Sequence, residues 1–397
     1  MSGSAPPRRS LTHDGWARMA ADAHPPLLAL WADTREVYAL LRQEDGAMLV
    51  STAVEDGGYP ALSPVRPAAA WFERMVRDLW GHTAVGAADR RTWLDHGRWA
   101  HGAPMAPHPG APGSADPPEF GIAEALDQIP LGPVRGGIQP AAHLRLGIRG
   151  ESVEQLELRL GYTHKGVLAL MRGKSPRTAA RFAARLVGET TVAHSVAFAR
   201  ATEAALACEV PPRALALREI MERLERMVWR LDLGAAVAEA DGLPAGPAAR
   251  SAEALRAAAN VAFGHRLMMD CVVPGGLAAD IAPGGREAIE RALRDVTEPG
   301  IGESARGLWA PLRGLPDGPA SASLPVASGE GLGHALGPAG DIWHWLRLDH
   351  GQIASAFMCD PGWARWLRLR ASMAGGRLDG LARTVASLGL SSSGVDL

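Results

Sequence analysis

The chain has 397 residues, 47% of them hydrophobic and 21% charged, which is enough apolar material for one or more cores. Its 41 basic and 43 acidic residues leave a net charge of -2, so no basic field is present to hold nucleic acid. Cys208, Cys271 and Cys359 are far apart, with no Cys-x-x-Cys pair. That excludes a disulfide framework, a cysteine-rich zinc site and an iron–sulfur cluster, and it points to a reducing compartment.

The length suits two or three domains. The 46 glycines and 30 prolines predict long irregular connections. The polar N-terminus lacks the apolar stretch of a signal peptide, and no run of about 18 uncharged apolar residues predicts a membrane span. Residues 1–105 read as one unit. In it, Met48–Val54 reads as a strand, Asp56-Gly57-Gly58 as a hairpin turn and Ala68–Trp80 as an amphipathic helix stopped by Gly81. Residues 102–118 are almost all Gly, Pro, Ala and small polar residues, so a linker is placed at 106–125.

The second domain is placed at 126–397. It opens with a hairpin. Leu144, Leu146 and Ile148 alternate with small or polar residues, Arg149-Gly150 turns, and Leu156, Leu158 and Leu160 return. Ser175-Pro176 predicts a helix start, and that helix is expected to run to about Glu209. A second helix opens at Pro211-Pro212, with Leu217, Ile220, Met221, Leu224, Met227, Val228 and Leu231 on one stripe. Glu219/Arg223 and Glu222/Arg226 are i,i+4 pairs on its other face. Further helices are expected over about 247–270 and 285–298. Asp341–Leu348 and Gln352–Phe357 read as strands around an Asp349-His350-Gly351 turn. The expected fold class is α+β: a small α/β N-terminal domain, then a helix-bundle core flanked by small antiparallel hairpins.

Several segments together resemble one superfamily. Trp71-Phe72-Glu73-Arg74, Asp78-Leu79-Trp80-Gly81 and Asp89-Arg90-Arg91 are similar to the C-type subunit of NADH-quinone oxidoreductase. The rest resembles the large subunit of formate hydrogenlyase-type [NiFe] hydrogenases and its sister family, the D-type subunit of the same quinone oxidoreductase. The matching segments are Gly132-Pro133 with Pro140–His143, Leu160–Gly166, Val210–Ala214, Gly264-His265-Arg266, Val273–Gly276, and Asp360-Pro361 with Trp363. A fusion of the two types implies a hydrogenase large-subunit-like fold behind a C-type oxidoreductase domain.

The same resemblance locates a nickel site and its loss. The family holds nickel with two pairs of thiolates, because soft sulfur ligands suit that metal. The first pair belongs to R-x-C-G-x-C-x-x-x-H. Here Arg185, Gly188 and His194 are kept, but Val187 and Thr190 stand at the cysteine positions. The second pair falls at Ser391 and Gly394. Leu168 stands where the family has a proton-handling Glu. Hydrogen activation is therefore not expected, nor is an extension beyond Leu397 for a maturation protease to remove. In the sister family the same cavity receives a quinone headgroup. The resemblance places His143 on the quinone-facing hairpin loop and His194 at the position of a quinone-bonding Tyr. Arg135, Trp229 and Arg230 depart from the family pattern, and the chain is shorter than the family between about 298 and 330.

The candidate cavity residues are thus His143, His164, Arg185 and His194, and each also has a plainer role. His194, among Val192, Val196 and Phe198, is either a core histidine or a pocket group. His143 either caps a strand or faces a ligand. His164-Lys165-Gly166 is a polar turn or part of the cavity. Arg185, on an apolar helix, pairs with Glu203 or Glu222 or touches a substrate. The three cysteines read as small core residues or exposed thiols. The tryptophans Trp343, Trp345, Trp363 and Trp366 read as core, with an interface as the other option.

The resemblance implies an oxidoreductase component of a membrane-associated complex related to complex I and group 4 hydrogenases, with NAD and quinone chemistry belonging to the assembly. No cofactor is expected on this chain other than a quinone. An iron–sulfur cluster would sit on a small partner protein, next to membrane proteins, on the cytoplasmic face of the inner membrane. A scaffold for hydrogenase maturation is the alternative.

Overall fold

The structure is a computed structural model, and it describes residues 8–44, 46–113, 120–134, 141–296, 298 and 301–397. Arg135, Gly136, Gly137 and Pro140 lie outside the described residues. The expected α+β class is what the chain adopts: three small sheets of three or four strands, mostly antiparallel, around a group of helices. In the first sheet Glu36–Gln43 pairs antiparallel with both Leu27–Ala32 and Gly46–Ala53, and Arg9–Leu11 adds a parallel edge. Helix Ala69–Trp80 packs on it and ends at Gly81, whose φ of 77° closes a left-handed cap.

The residues that carry the C-type oxidoreductase resemblance act as braces on this helix. Glu73 accepts the N–H groups of Leu62 and Ser63 (2.6 and 3.0 Å), and Asp78 accepts those of Trp93 and Leu94 (2.7 and 2.8 Å). Arg74 donates to the carbonyls of Arg91 and Thr92 (2.8 and 2.5 Å). Each brace pins an irregular segment that would otherwise carry unsatisfied backbone groups.

The Gly/Pro-rich stretch connects parts that share one core. Trp31 stacks on Phe357 at 4.9 Å and Tyr38 meets Trp345 at 4.8 Å, while Phe72 stacks on Trp363 at 4.2 Å. Arg347 reaches across to the Asp33 carboxylate at 2.7 Å. Trp345, Trp363 and Trp366 are buried and Trp343 is half-buried.

The expected hairpin is present as His143–Arg149 against Ser152–Arg159, with Asp127–Leu131 and Gly376–Arg377 on its edges. The helix expected from 175 to 209 is two helices, Pro176–Ala184 and Thr191–Leu206. Val187 is extended (φ -134°, ψ 118°) and a 3-10 turn follows at Gly188–Thr190, so the chain re-aims before the second helix starts. Pro212–Ala240 carries the expected stripe to the core. The next helix ends at Phe263 rather than near 270, because Gly264 takes φ 76°. The fourth ends at Arg294.

Strand Gly329–Gly337 was not expected from the sequence. It pairs with Gly340–Asp349, which pairs with Gln352–Cys359. Its glycines mask the usual strand signal, and packing explains them. A Cβ on Gly329, Gly331 or Gly333 would stand 2.0–2.1 Å from the carbonyls of Ala205, Ala201 and Ala197. The strand lies directly on the backbone of the Thr191–Leu206 helix, which only glycine permits.

A buried ion pair fixes the Val273–Gly276 segment. Arg218, 1% exposed, donates to Glu203 (2.6 and 3.0 Å), to Val273 (2.9 Å) and to Gly276. Glu203 also accepts the Gly275 N–H at 2.8 Å. With its guanidinium and carboxylate almost fully bonded, this pair meets the condition under which buried charge is tolerated.

Candidate functional site

Three segments far apart in sequence meet at the start of the Thr191–Leu206 helix. The first is the turn after the hairpin. Lys165 Nζ donates to the Leu186 carbonyl at 2.6 Å and the Ser393 carbonyl at 3.0 Å, which ties the segment holding Val187 to the tail holding Gly394. The N–H groups of Lys165 and Gly166 donate to the Leu397 carbonyl, both at 3.0 Å. His164 Nδ1–H donates to the Asp396 carbonyl at 2.5 Å, and Gly161 N–H and the Thr163 hydroxyl reach the Asp396 carboxylate. Burial lowers the His164 pKa and raises that of Asp396.

The second segment is the helix itself. Its N-terminal amides find no cap on their own strand of sequence, so Glu225 supplies one from the next helix. Its carboxylate accepts Val192 N–H at 2.6 Å and Ala193 N–H at 3.0 Å. A helix N-terminus favours a negative charge there. Enclosure outweighs it, pushing Glu225 up to about 8. One turn along the helix stands His194, 0% exposed. Its Nε2 lies 3.0 Å from Asp360 Oδ2 and its Nδ1 lies 2.9 Å from His344 Nε2.

The third segment combines the Gly340–Asp349 strand and the tail. His344 is in the inward-facing set with Ile342, Leu346 and Leu348. Burial, with His194 beside it, holds its pKa well below the usual histidine range. Asp360 follows the last strand of that sheet, and its other oxygen accepts Gly362 N–H at 2.6 Å. One tautomer pattern satisfies the row: His344 Nε2–H donates to His194 Nδ1, and His194 Nε2–H donates to Asp360. The remaining His344 Nδ1 is buried without a partner among the described residues. The row is a buried, hydrogen-bonded His–His–carboxylate line.

The positions that the resemblance assigned to nickel lie around this line. Val187 and Thr190 are buried at the two ends of the 3-10 turn, and the Thr190 hydroxyl has no partner among the described residues. The Ser391 carbonyl accepts from Trp366 Nε1 at 3.0 Å. A Cβ on Gly394 would stand 2.3 Å from Asp360 Cγ. These residues do not fit nickel. They present no soft donor, and Asp360 occupies the space that a side chain at Gly394 would need. Among the described residues no group of three His, Cys, Asp or Glu side chains has metal-binding geometry. The three thiols lie elsewhere; Cys359 is buried against the Leu28 carbonyl at 3.4 Å.

The other candidate residues do not converge on one cavity. His194 is a core group with both nitrogens engaged, so it offers neither to a ligand. Arg185 faces outward and pairs with Asp270, one contact at 2.6 Å, not with Glu203 or Glu222. Its preferred partner follows from the helix break, which turns Arg185 away from the core. His143 is half-buried at the start of its strand, edge-on to Phe120 at 4.7 Å. Burial and the nearby Arg145 and Arg159 lower its pKa, and its Nε2 has no partner among the described residues. Leu168 is buried. A cavity of about 300 Å³ opens beside the 3-10 turn, with Glu189, Glu225, Trp229, Asp232, Arg256 and Met268 on its walls. Sequence alone did not single out His344 or Glu225, and it read Lys165 as part of a polar turn or of the cavity. For His344 the signal was available in the strand alternation, which puts a histidine on the buried face.

Comparison with known proteins gives a consistent picture. Residues 31–108 match the model for the respiratory-chain NADH dehydrogenase 30 kDa subunit, and residues 165–228 match that for nickel-dependent hydrogenase. The chain is 32% identical over 233 residues to hydrogenase-4 component G of Escherichia coli, covering 54% of this chain and 41% of that one. It is 30% identical over 209 residues to formate hydrogenlyase subunit 5 of the same organism, covering 48% and 37%. It thus spans less than half the length of these relatives. A chain of the membrane-bound sulfane sulfur reductase, an archaeal respiratory membrane complex, shares the fold, with a TM-score of 0.58 at 17% identity, over 70% of this chain and all of that one. The chain thus carries a segment homologous to the complex I 30 kDa subunit ahead of a segment homologous to nickel-dependent hydrogenases.

Proposed function

We propose that this chain is an architectural component of a membrane-associated oxidoreductase complex, in which the former nickel pocket has become an internal hydrogen-bonded clamp. Homologues of the chain are subunits of membrane-bound hydrogenase and complex I-type assemblies. One observation carries the proposal: Asp360 fills the space at Gly394 and bonds His194, where the family would place metal and thiolates. The clamp joins the helix start, the Trp-rich sheet and the tail, so the body keeps its shape with no metal inside. Electrons would run through a small iron–sulfur partner, and membrane proteins of the assembly would hold the complex at the cytoplasmic face of the inner membrane. Among the described residues no helix is long and apolar enough to cross a membrane.

The test is affinity purification from solubilised membranes, with mass spectrometry and elemental analysis. The expected result is co-purification with an iron–sulfur protein and antiporter-like membrane proteins, and no stoichiometric nickel in this chain. Recovery as a free monomer, or with hydrogenase maturation proteins alone, overturns it in favour of an assembly scaffold. Stoichiometric nickel overturns the metal-free pocket.

A second reading rests on His143, whose Nε2 is buried without a partner among the described residues and would donate to a quinone carbonyl in a pocket closed by a partner. It requires that a quinone analogue bind the purified complex and that His143→Ala abolish that binding.

A further inference from the structure

Away from the clamp, the long helix Pro212–Ala240 carries three arginines, Arg223, Arg226 and Arg230, at i, i+3 and i+7. That spacing sets them on one face. They converge on a recess of about 230 Å³ whose other walls are Met227, Ser304 and Gly307. No carboxylate lines it among the described residues. The sequence pattern suggested that Glu222 would neutralise Arg226, but its ion pair goes to Arg200 at 3.7 Å. Glu219 engages Arg223 at 2.5 Å, and the Gly307 carbonyl takes a second N–H of Arg223 at 2.8 Å. Arg226 donates to the Leu336 carbonyl at 3.1 Å. Arg230 makes no hydrogen bond or ion pair among the described residues. Each guanidinium has five N–H donors, so most of these remain free. Burial lowers the pKa of the half-buried Arg226, and Arg223 and Arg230 add to that against the pull of Glu222.

We propose that the Arg223–Arg226–Arg230 recess is a binding site for a phosphate-type oxyanion, with the Ser304 hydroxyl as a fourth donor. Forked guanidinium donors match tetrahedral oxyanions, and a dianion relieves the mutual repulsion of three like charges held together. The chain as a whole is slightly acidic, so this is a local feature and not part of a general basic field. The site is independent of the proposed architectural role. Phosphate can come from a soluble ester or from a lipid headgroup, and the two sources are separable.

The full-length protein is titrated with pyrophosphate by calorimetry, with chloride at matched ionic strength as control. In a parallel arm it is sedimented with phosphatidylcholine vesicles with and without phosphatidic acid. The expected result is saturable binding in at least one arm, weakened tenfold or more by Arg230→Ala and by Arg226→Gln, and unchanged by Arg177→Ala, an exposed arginine elsewhere. Arg230 is exposed, so its removal leaves the fold intact, and thermal melting confirms this for both variants. Binding to vesicles that pyrophosphate displaces assigns a lipid headgroup; binding of pyrophosphate alone assigns a soluble ligand. No binding above the chloride control in either arm, or binding that Arg230→Ala leaves unchanged, overturns the proposal.

Discussion

His194 shows how the neighbours of a buried residue set its role. In this chain it links Asp360 to His344 inside a dry core. His194→Leu keeps an apolar filler but strands a carboxylate and a second imidazole, so it should cost about 3–5 kcal/mol, read as a fall in denaturant midpoint. Asp360→Asn keeps the shape and the acceptor for Gly362 but forces the ring tautomers to reverse, at about 1–3 kcal/mol. Glu225 adds a pH signature. It is pushed up to about 8 in the fold from a reference of 4.5, so the folded state binds the extra proton between those values. Its contribution is fully present below 4.5 and is lost as pH rises through about 8. His344 acts in the opposite sense. Its depressed pKa makes the folded chain lose stability only as pH falls below its reference of 6.5. The interval from 6.5 to 8 therefore separates the two. Melting temperature measured across it should decline less in Glu225→Gln than in the parent. An equal decline in both would show that Glu225 does not carry the effect.

At the scale of elements, the contact between the Thr191–Leu206 helix and the Gly329–Gly337 strand depends on missing side chains. Gly331→Ala puts a methyl 2.0 Å from the Ala201 carbonyl, so strand and helix must part. The expected cost is about 3 kcal/mol, at the upper end for overpacking. Because the same helix carries His194 and the same sheet carries His344, the variant should also disturb the clamp, seen as changed imidazole signals by NMR. Sequence periodicity identified the long helix opening at Pro211-Pro212, its stripe to Leu231, and the hairpins at 144–160 and 341–357, because one face of each is apolar and the other polar. It failed at residues 185–190, where a helix-compatible composition hides a break, and at 329–337, where glycines carry no period-two signal. In both places the backbone is set by what lies across from it, not by its own propensity.

On the scale of the whole molecule, the two parts of the fusion are not beads on a linker. Trp31 and Tyr38 of the N-terminal part meet Phe357 and Trp345 of the other. Residues 8–105 produced alone should expose these rings, bind a hydrophobic dye and lose it on mixing with residues 126–397. A dye-silent, monomeric fragment would show that the N-terminal part closes its own core. Asp33, bonded to Tyr38 and to Arg347, adds a polar lock to the same seam.

What the sequence determined by itself was the kind of body. Composition, helical stripes and the order of short motifs need no contacts to be read, and Val187, Thr190, Ser391 and Gly394 are not thiolates whatever the fold does. Only the tertiary structure decided what took their place. His194, His344, Asp360 and Lys165 come from four separate segments, so no local pattern could pair them. Buried polar groups must find partners once water is excluded, and which partners they find depends on the packing of the whole chain.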